Sequence, residues 1–313
     1  MTLPADPPRY QPERVFQQHE WPIRGLRYSG CVWDSAPASQ ADPPPLLVLL
    51  HGWADVGASF QFLVDAMHRL EGARRRIVAP DWRGFGGTAN PGVDAYWFAD
   101  YLGDLDALLH ALSPDAPVDL LGHSMGGNVA MSYAGARPER IRRLINLEGF
   151  GLPRTEASEA PARMARWLDE LRAPVGFKPY ASRTAVAARL QAQNPRLPAD
   201  KAHWLAGHWA APDAQGQWQL RFDPAHKRVN PQLYRVDEAL ALWAAITAPL
   251  LWVDGEQSDP GAWWQGRYSR EEFDQRLQVV PQVQRQRLPG CGHMLHHDDP
   301  DGLARALQAF LDA

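Results

Sequence analysis

Six short apolar runs, each bounded by Gly or Pro, recur along the chain: LLVLL (46–50), RIVAP (76–80), VDLLG (118–122), RLINLE (143–148), LLWVDG (250–255) and VQRQRLPG (283–290). Near-continuous runs of this length predict strands of a parallel sheet covered on both faces. Segments with helical spacing alternate with them: ASFQFLVDAMHRL (58–70), YWFADYLGDLDALLHAL (96–112) and DGLARALQAFLDA (301–313). Strand and helix in alternation predict a doubly wound α/β sheet. RYSGCVWDS (27–35) and the residues before it predict leading antiparallel strands, and ADPPPLL reads as a stiff entry to the first core strand.

The alternation breaks over residues 151–240. This stretch is rich in Ala, Arg, Trp and Pro, with helix-like pieces such as SEAPARMARWLDELR and SRTAVAARLQAQN. It holds Trp167, Trp204, Trp209 and Trp218 and no convincing apolar strand. The expectation is an α/β fold with a doubly wound, mostly parallel sheet formed by 1–150 and 241–313, carrying an inserted helical cap at 151–240.

Composition narrows the function classes. A net charge of −4 without a basic stripe argues against a nucleic-acid partner. No run approaches the ~18 apolar residues of a membrane span. The N-terminus lacks a basic start followed by an apolar stretch, so a cytoplasmic protein is expected. Cys31 and Cys291 lie far apart and match no metal spacing; a disulfide between them and a reducing compartment are both open readings.

The stretch LLGHSMGGNVA (120–130) carries the chemistry. Ser124 stands between Gly122 and Gly126 where an apolar run gives way to helical spacing. A tight strand–turn–helix bend lifts a serine hydroxyl clear of the sheet and leaves no room for bulk two residues to either side. Such a serine needs a base. His293, in LPGCGHMLHHDDP, follows a strand and a Gly-x-Gly turn just before the last helix. His296 and His297 are read as solvated or structural, and with no H-E-x-x-H pattern no metal is expected. Two backbone N–H groups would receive a developing oxyanion: that of Met125, directly after the serine, and that of Trp53, after His51-Gly52.

HGW (51–53), DWRGFGGT (81–88), GHSMGG (122–127) and GCGHMLHHDDP (290–300), in this order, resemble the α/β-hydrolase superfamily over roughly residues 20–150 and 240–313. The resemblance implies a Ser-His-acid triad and makes Asp81 a turn and network residue. The family usually places the acid after the penultimate core strand, often as Gly-x-x-Asp, but VDGEQSDP has one residue more. Asp259 is the first choice for the acid. Glu148 is the alternative, because some cap-bearing relatives carry a carboxylate at the end of the strand after the elbow; Asp254 and Glu256 follow.

The function expected is a serine hydrolase of the carboxylesterase kind, cleaving a carboxylic ester or related acyl substrate without a cofactor. The alternatives are a C–C bond hydrolase of the meta-cleavage type and a ligand receptor on the same fold. The serine argues against haloalkane dehalogenase and epoxide hydrolase chemistry, whose nucleophile in this family is aspartate. The partner expected is a small, mostly apolar ester, with Trp53, His123 and Trp263 as candidate binding residues. Oligomeric state is left open.

Overall fold

The computed structural model describes residues 10–36 and 44–313. The start of the ADPPP segment and the extreme N-terminus lie outside the described residues. Ten strands are formed among the described residues: β1 (Gln17–Ile23), β2 (Leu26–Trp33), β3 (Leu47–Leu50), β4 (Ile77–Pro80), β5 (Val118–His123), β6 (Ile141–Leu147), β7 (Ala210–Pro212), β8 (Trp218–Leu220), β9 (Leu250–Gly255) and β10 (Val283–Leu288). Eight of them make one sheet in the order β1-β2-β4-β3-β5-β6-β9-β10. β1 and β2 are antiparallel, as is the β2–β4 junction, and every pairing from β4 to β10 is parallel.

The apolar runs are continuous because both faces of the sheet are buried. Leu47 and Leu49 join one core cluster, while Val48 and Leu50 join the other. The first face is covered by α1 (Gln61–Glu71) and the C-terminal helix, through Leu63, Leu303 and Phe310. The second is covered by α2 (Phe98–Leu112) and α3 (Met125–Ala136), through Leu105, Leu109 and Val129.

Between β6 and β9 the chain leaves the sheet. It forms α4 (Ala160–Arg172), α5 (Arg183–Gln193) and α6 (Ala199–Trp209), then the antiparallel β7–β8 hairpin, then α7 (Val236–Ala244). The hairpin corrects the expectation of a stretch without strands. Its arms, AAP and WQL, are three residues each, too short to register as a period of two. α5 and α6 bury Val186, Leu190 and Leu205 in the α1-side cluster, whereas α4 buries nothing. The remaining helices are α8 (Pro260–Trp263), α9 (Arg270–Leu277), α10 (Leu295–Asp298) and α11 (Pro300–Leu311). Cys31 and Cys291 are both free and buried.

β3 leads outward to β4 on one side while its other neighbour, β5, starts the walk in the opposite direction. Strand order reverses there, and in open α/β sheets the crevice at the carboxyl ends beside such a reversal is where ligands bind. The residues that follow β3 and β5 are His51-Gly52-Trp53 and Ser124.

Candidate active site

Ser124 sits at the tip of the β5–α3 bend with φ 52° and ψ −115°. A non-glycine residue held there costs on the order of 1–3 kcal/mol, and the surroundings enforce it. A Cβ on Gly122 would meet the Gly126 carbonyl oxygen at 2.2 Å, and one on Gly126 would meet that of Leu50 at 2.2 Å. Ser124 N–H donates to Leu147 O at 2.8 Å, tying the bend to β6. Met125 opens α3, so its N–H belongs to the first turn, which has no partner within the helix.

Glu148 follows β6 and is fully buried, with φ 60°. One carboxylate oxygen accepts the Gly255 N–H at 2.6 Å, and the other accepts His293 Nδ1–H at 3.1 Å. His293 is held from a second side, because His123 Nε2–H donates to its backbone carbonyl at 2.8 Å. With Nδ1 engaged by Glu148, Nε2 is the ring nitrogen left for a reacting group. Ser124 and His293 line one cavity of about 250 Å³, without a direct hydrogen bond between them among the described residues. Trp53, Leu190, Leu197 and Trp209 give its wall an apolar character.

Asp259 is not brought to His293. It is exposed and caps α8, accepting the Ala262 N–H at 3.1 Å. The extra residue of the VDGEQSDP loop is spent on this turn. Asp254 is paired with Arg270 and Arg287, and Glu256 accepts the Gly290 N–H. The geometry corrects the choice of partner for His293 from Asp259 to Glu148.

His123 lines the cavity but is fully buried. Burial, then the neighbouring His296 and His293, push its pKa well below the ordinary histidine value. His123 thus combines a place in the cavity lining with a hydrogen bond from Nε2 to the His293 carbonyl. Trp263 lies edge-on against the His293 ring at 4.7 Å and outside the cavity lining. Trp53, about half exposed, is in the lining and stands edge-on to Phe222.

A buried polar cluster leaves no sign in the sequence. Asp55, His123 and His296 are buried, with potential ligand atoms within 4.8 Å of one another, the one such group that could hold a metal among the described residues. Burial would raise the Asp55 carboxyl, but His296, His297 and His51 outweigh it and hold the group below the usual carboxylate range. His296 and His297 are buried, not solvated, and both ring Nε2 atoms approach the Ser59 hydroxyl. Asp81 accepts the N–H groups of Gly57 and Gly87, a network role.

A family model for the alpha/beta hydrolase fold matches residues 45–300. The chain belongs to that family. Among its relatives in the alpha/beta hydrolase family, a 3-hydroxybutyrate-oligomer hydrolase of Cupriavidus necator is 29% identical over 86% of this chain and 89% of its own. A 2-(acetamidomethylene)succinate hydrolase of Mesorhizobium japonicum is 27% identical over 86% and 88%. Of solved structures, a thioesterase domain from the curacin biosynthetic pathway superposes with a TM-score of 0.79 at 24% identity, over 94% of this chain and 99% of that one. That last likeness shows the fold alone. No helix among the described residues of this hydrolase is long and apolar enough to cross a membrane.

Proposed function

We propose that the protein is a serine hydrolase that cleaves a carboxylic ester or related acyl compound through Ser124, His293 and Glu148. One observation carries the reading: a buried carboxylate accepts His293 Nδ1–H at the rim of a cavity that also contains the elbow serine. Ser124 Oγ attacks the acyl carbonyl as His293 Nε2 takes its proton. Glu148 fixes the tautomer and stabilises the imidazolium that results. The N–H groups of Met125 and Trp53 receive the oxyanion, and losing one such donor costs about 3–4 kcal/mol in enzymes of this type. The leaving alcohol departs with the proton from His293. Water, deprotonated by the same nitrogen, then frees the acid. No cofactor enters this sequence.

The segment 151–240 acts in this reading as a cap, because Leu190, Leu197 and Trp209 come from it to the cavity wall. The substrate is a small molecule with an apolar portion. The relatives named a 3-hydroxybutyrate-oligomer hydrolase and a 2-(acetamidomethylene)succinate hydrolase support a hydrolytic reading of the site.

A fluorophosphonate probe tests the assignment. It is expected to label the protein once, at Ser124, and p-nitrophenyl esters are expected to turn over catalytically. Ser124→Ala should abolish both while leaving the circular dichroism spectrum unchanged. Ester turnover that persists in this variant would end the proposal.

A further inference from the structure

The cavity beside Ser124 shares Trp53, Ala54, Asp55, Gln193 and Trp209 with a second cavity of about 310 Å³, so the two meet along these side chains. The outer cavity is electrostatically unlike the inner one. Three cations line it, Arg189 from α5, Arg221 from just beyond β8, and Lys227 from the turn that follows. Its one acid is Asp55, whose Oδ1 already accepts the Val56 N–H at 2.9 Å and the Trp209 indole N–H at 3.0 Å. The remaining wall is apolar and aromatic, with Phe85, Phe177, Leu220 and Phe222.

These cations are exposed, and Arg221 lies near enough to Asp81 to act on it electrostatically. Many other surface arginines are matched to carboxylates, as Arg69 is to Asp301, Arg74 to Asp312 and Arg285 to Asp274. Arg189 and Arg221 form no ion pair and no side-chain hydrogen bond among the described residues. Lys227 donates once, to Gly176 O at 2.8 Å, and its ammonium stands 3.8 Å over the Phe177 ring, leaving further N–H groups for a ligand. Two planar guanidinium forks and one ammonium lining an otherwise largely apolar trough suit a carboxylate or phosphate-like group on an apolar stem. A purely apolar ester would fill the trough and leave all three charges to water.

We propose that the cleft selects acyl substrates whose end remote from the scissile carbonyl is anionic, with that group seated among Arg189, Arg221 and Lys227. The inference rests on the serine hydrolase reading for the position of the scissile bond, but the anion seat stands or falls by binding alone.

The test uses p-nitrophenyl esters of one acyl length that end in methyl, carboxylate or phosphonate, over a series of lengths. At the best length an anionic ester should exceed its methyl counterpart in kcat/KM by about tenfold, the gain from two or three partly exposed charge-assisted contacts. The excess should lie in KM and shrink in 0.5 M salt, where charges are screened beyond a few Å. Whichever anion gives the larger ratio identifies the natural terminus. Arg189→Gln combined with Arg221→Gln should bring the ratio to about one, and Arg221→Glu should drive it below one. Calorimetry on Ser124→Ala, with the same esters, separates this inference from the hydrolase reading. Tighter binding of an anionic ester, lost on neutralising the arginines, supports the seat even where turnover is absent. Equal affinity for methyl- and anion-terminated esters at every length overturns it.

Discussion

Glu148 reaches His293 over the end of the strand that separates them. β9 lies between β6 and β10, and the carboxylate that follows β6 takes the Gly255 N–H at the end of β9 with one oxygen and His293 Nδ1–H, beyond β10, with the other. The imidazole is thereby fixed to two neighbouring strands, and the left-handed backbone at Glu148 sets the angle from which the carboxylate approaches.

Replacing Glu148 should therefore be far more damaging than replacing Asp259. Glu148→Gln keeps the volume but removes the charge and permits the wrong imidazole tautomer. A fall in kcat of about 10³–10⁴-fold is expected, by analogy with triad-acid replacement in serine proteases. Asp259→Asn keeps an oxygen for the Ala262 N–H, since Asn caps helices nearly as well as Asp, and should leave kcat within about twofold. Steady-state kinetics on one activated ester decide between them; comparable losses in the two variants would remove Glu148 from its role.

What the sequence made legible follows from what is local. Strands buried on both faces write their position as unbroken apolar runs, and Ser124 is marked by glycines that its own bend requires. His293 could be found because it follows a strand and precedes a helix. The acid could not be settled, because what brings Glu148 to His293 is the lateral order of β6, β9 and β10, fixed by tertiary pairing and not by spacing along the chain. Asp259 looked better because an extra loop residue gives no sign of whether it bulges toward the sheet or caps a helix. The buried polar cluster was invisible for the same reason: Asp55 and His296 are 241 positions apart and meet through packing.

The elbow is a steric device, and a methyl group should break it. A Cβ at Gly126 would lie 2.2 Å from Leu50 O and 2.7 Å from His51 O, both backbone atoms of the strand end beside the oxyanion loop. Neither can move without parting α3 from β3. Gly126→Ala should lower stability by about 2–3 kcal/mol and abolish turnover, as overpacking of rigid contacts does. Gly176→Ala, where the added carbon meets nothing within 4 Å, should stay within about 0.5 kcal/mol. Urea unfolding of the two variants measures the contrast; equal small effects would mean the bend has slack.

Asn146 should behave as a positioning residue for Glu148. It is fully buried; its side-chain oxygen accepts the Gly149 N–H at 2.8 Å and its amide donates to Gly149 O. A Cβ on Gly127, in the elbow helix, would come within 2.4 Å of the same oxygen. The side chain thus pins the turn that carries Glu148 against the helix that follows Ser124. Asn146→Ala unpins it. A displacement of about 1 Å in a catalytic group can cost on the order of 10²-fold, so kcat should fall about 10- to 100-fold with KM changed far less. A loss confined to KM, or one that Asn146→Asp does not partly rescue, would argue against the pinning role.

Stability should decline as pH falls from about 6.5 to 4, and His226 should be one cause. This residue belongs to the insertion, but its ring stacks on Tyr96 at 3.5 Å and packs against Phe85 at 4.1 Å. Its Nε2–H donates to Arg83 O at 3.1 Å, and the Tyr101 hydroxyl faces Nδ1 at 3.3 Å. Burial dominates and lowers its pKa from 6.5 to about 4. The unfolded chain therefore binds a proton below pH 6.5 that the folded protein refuses until about pH 4. The stacking is fully effective above 6.5 and its contribution is lost through that window, at no more than about 1.4 kcal/mol per pH unit for one such group. His226→Phe keeps a ring between Tyr96 and Phe85 but cannot titrate, so its urea midpoint should fall less steeply over this range than that of the parent. Parallel curves for the two proteins would show that His226 accepts its proton without opposing the fold.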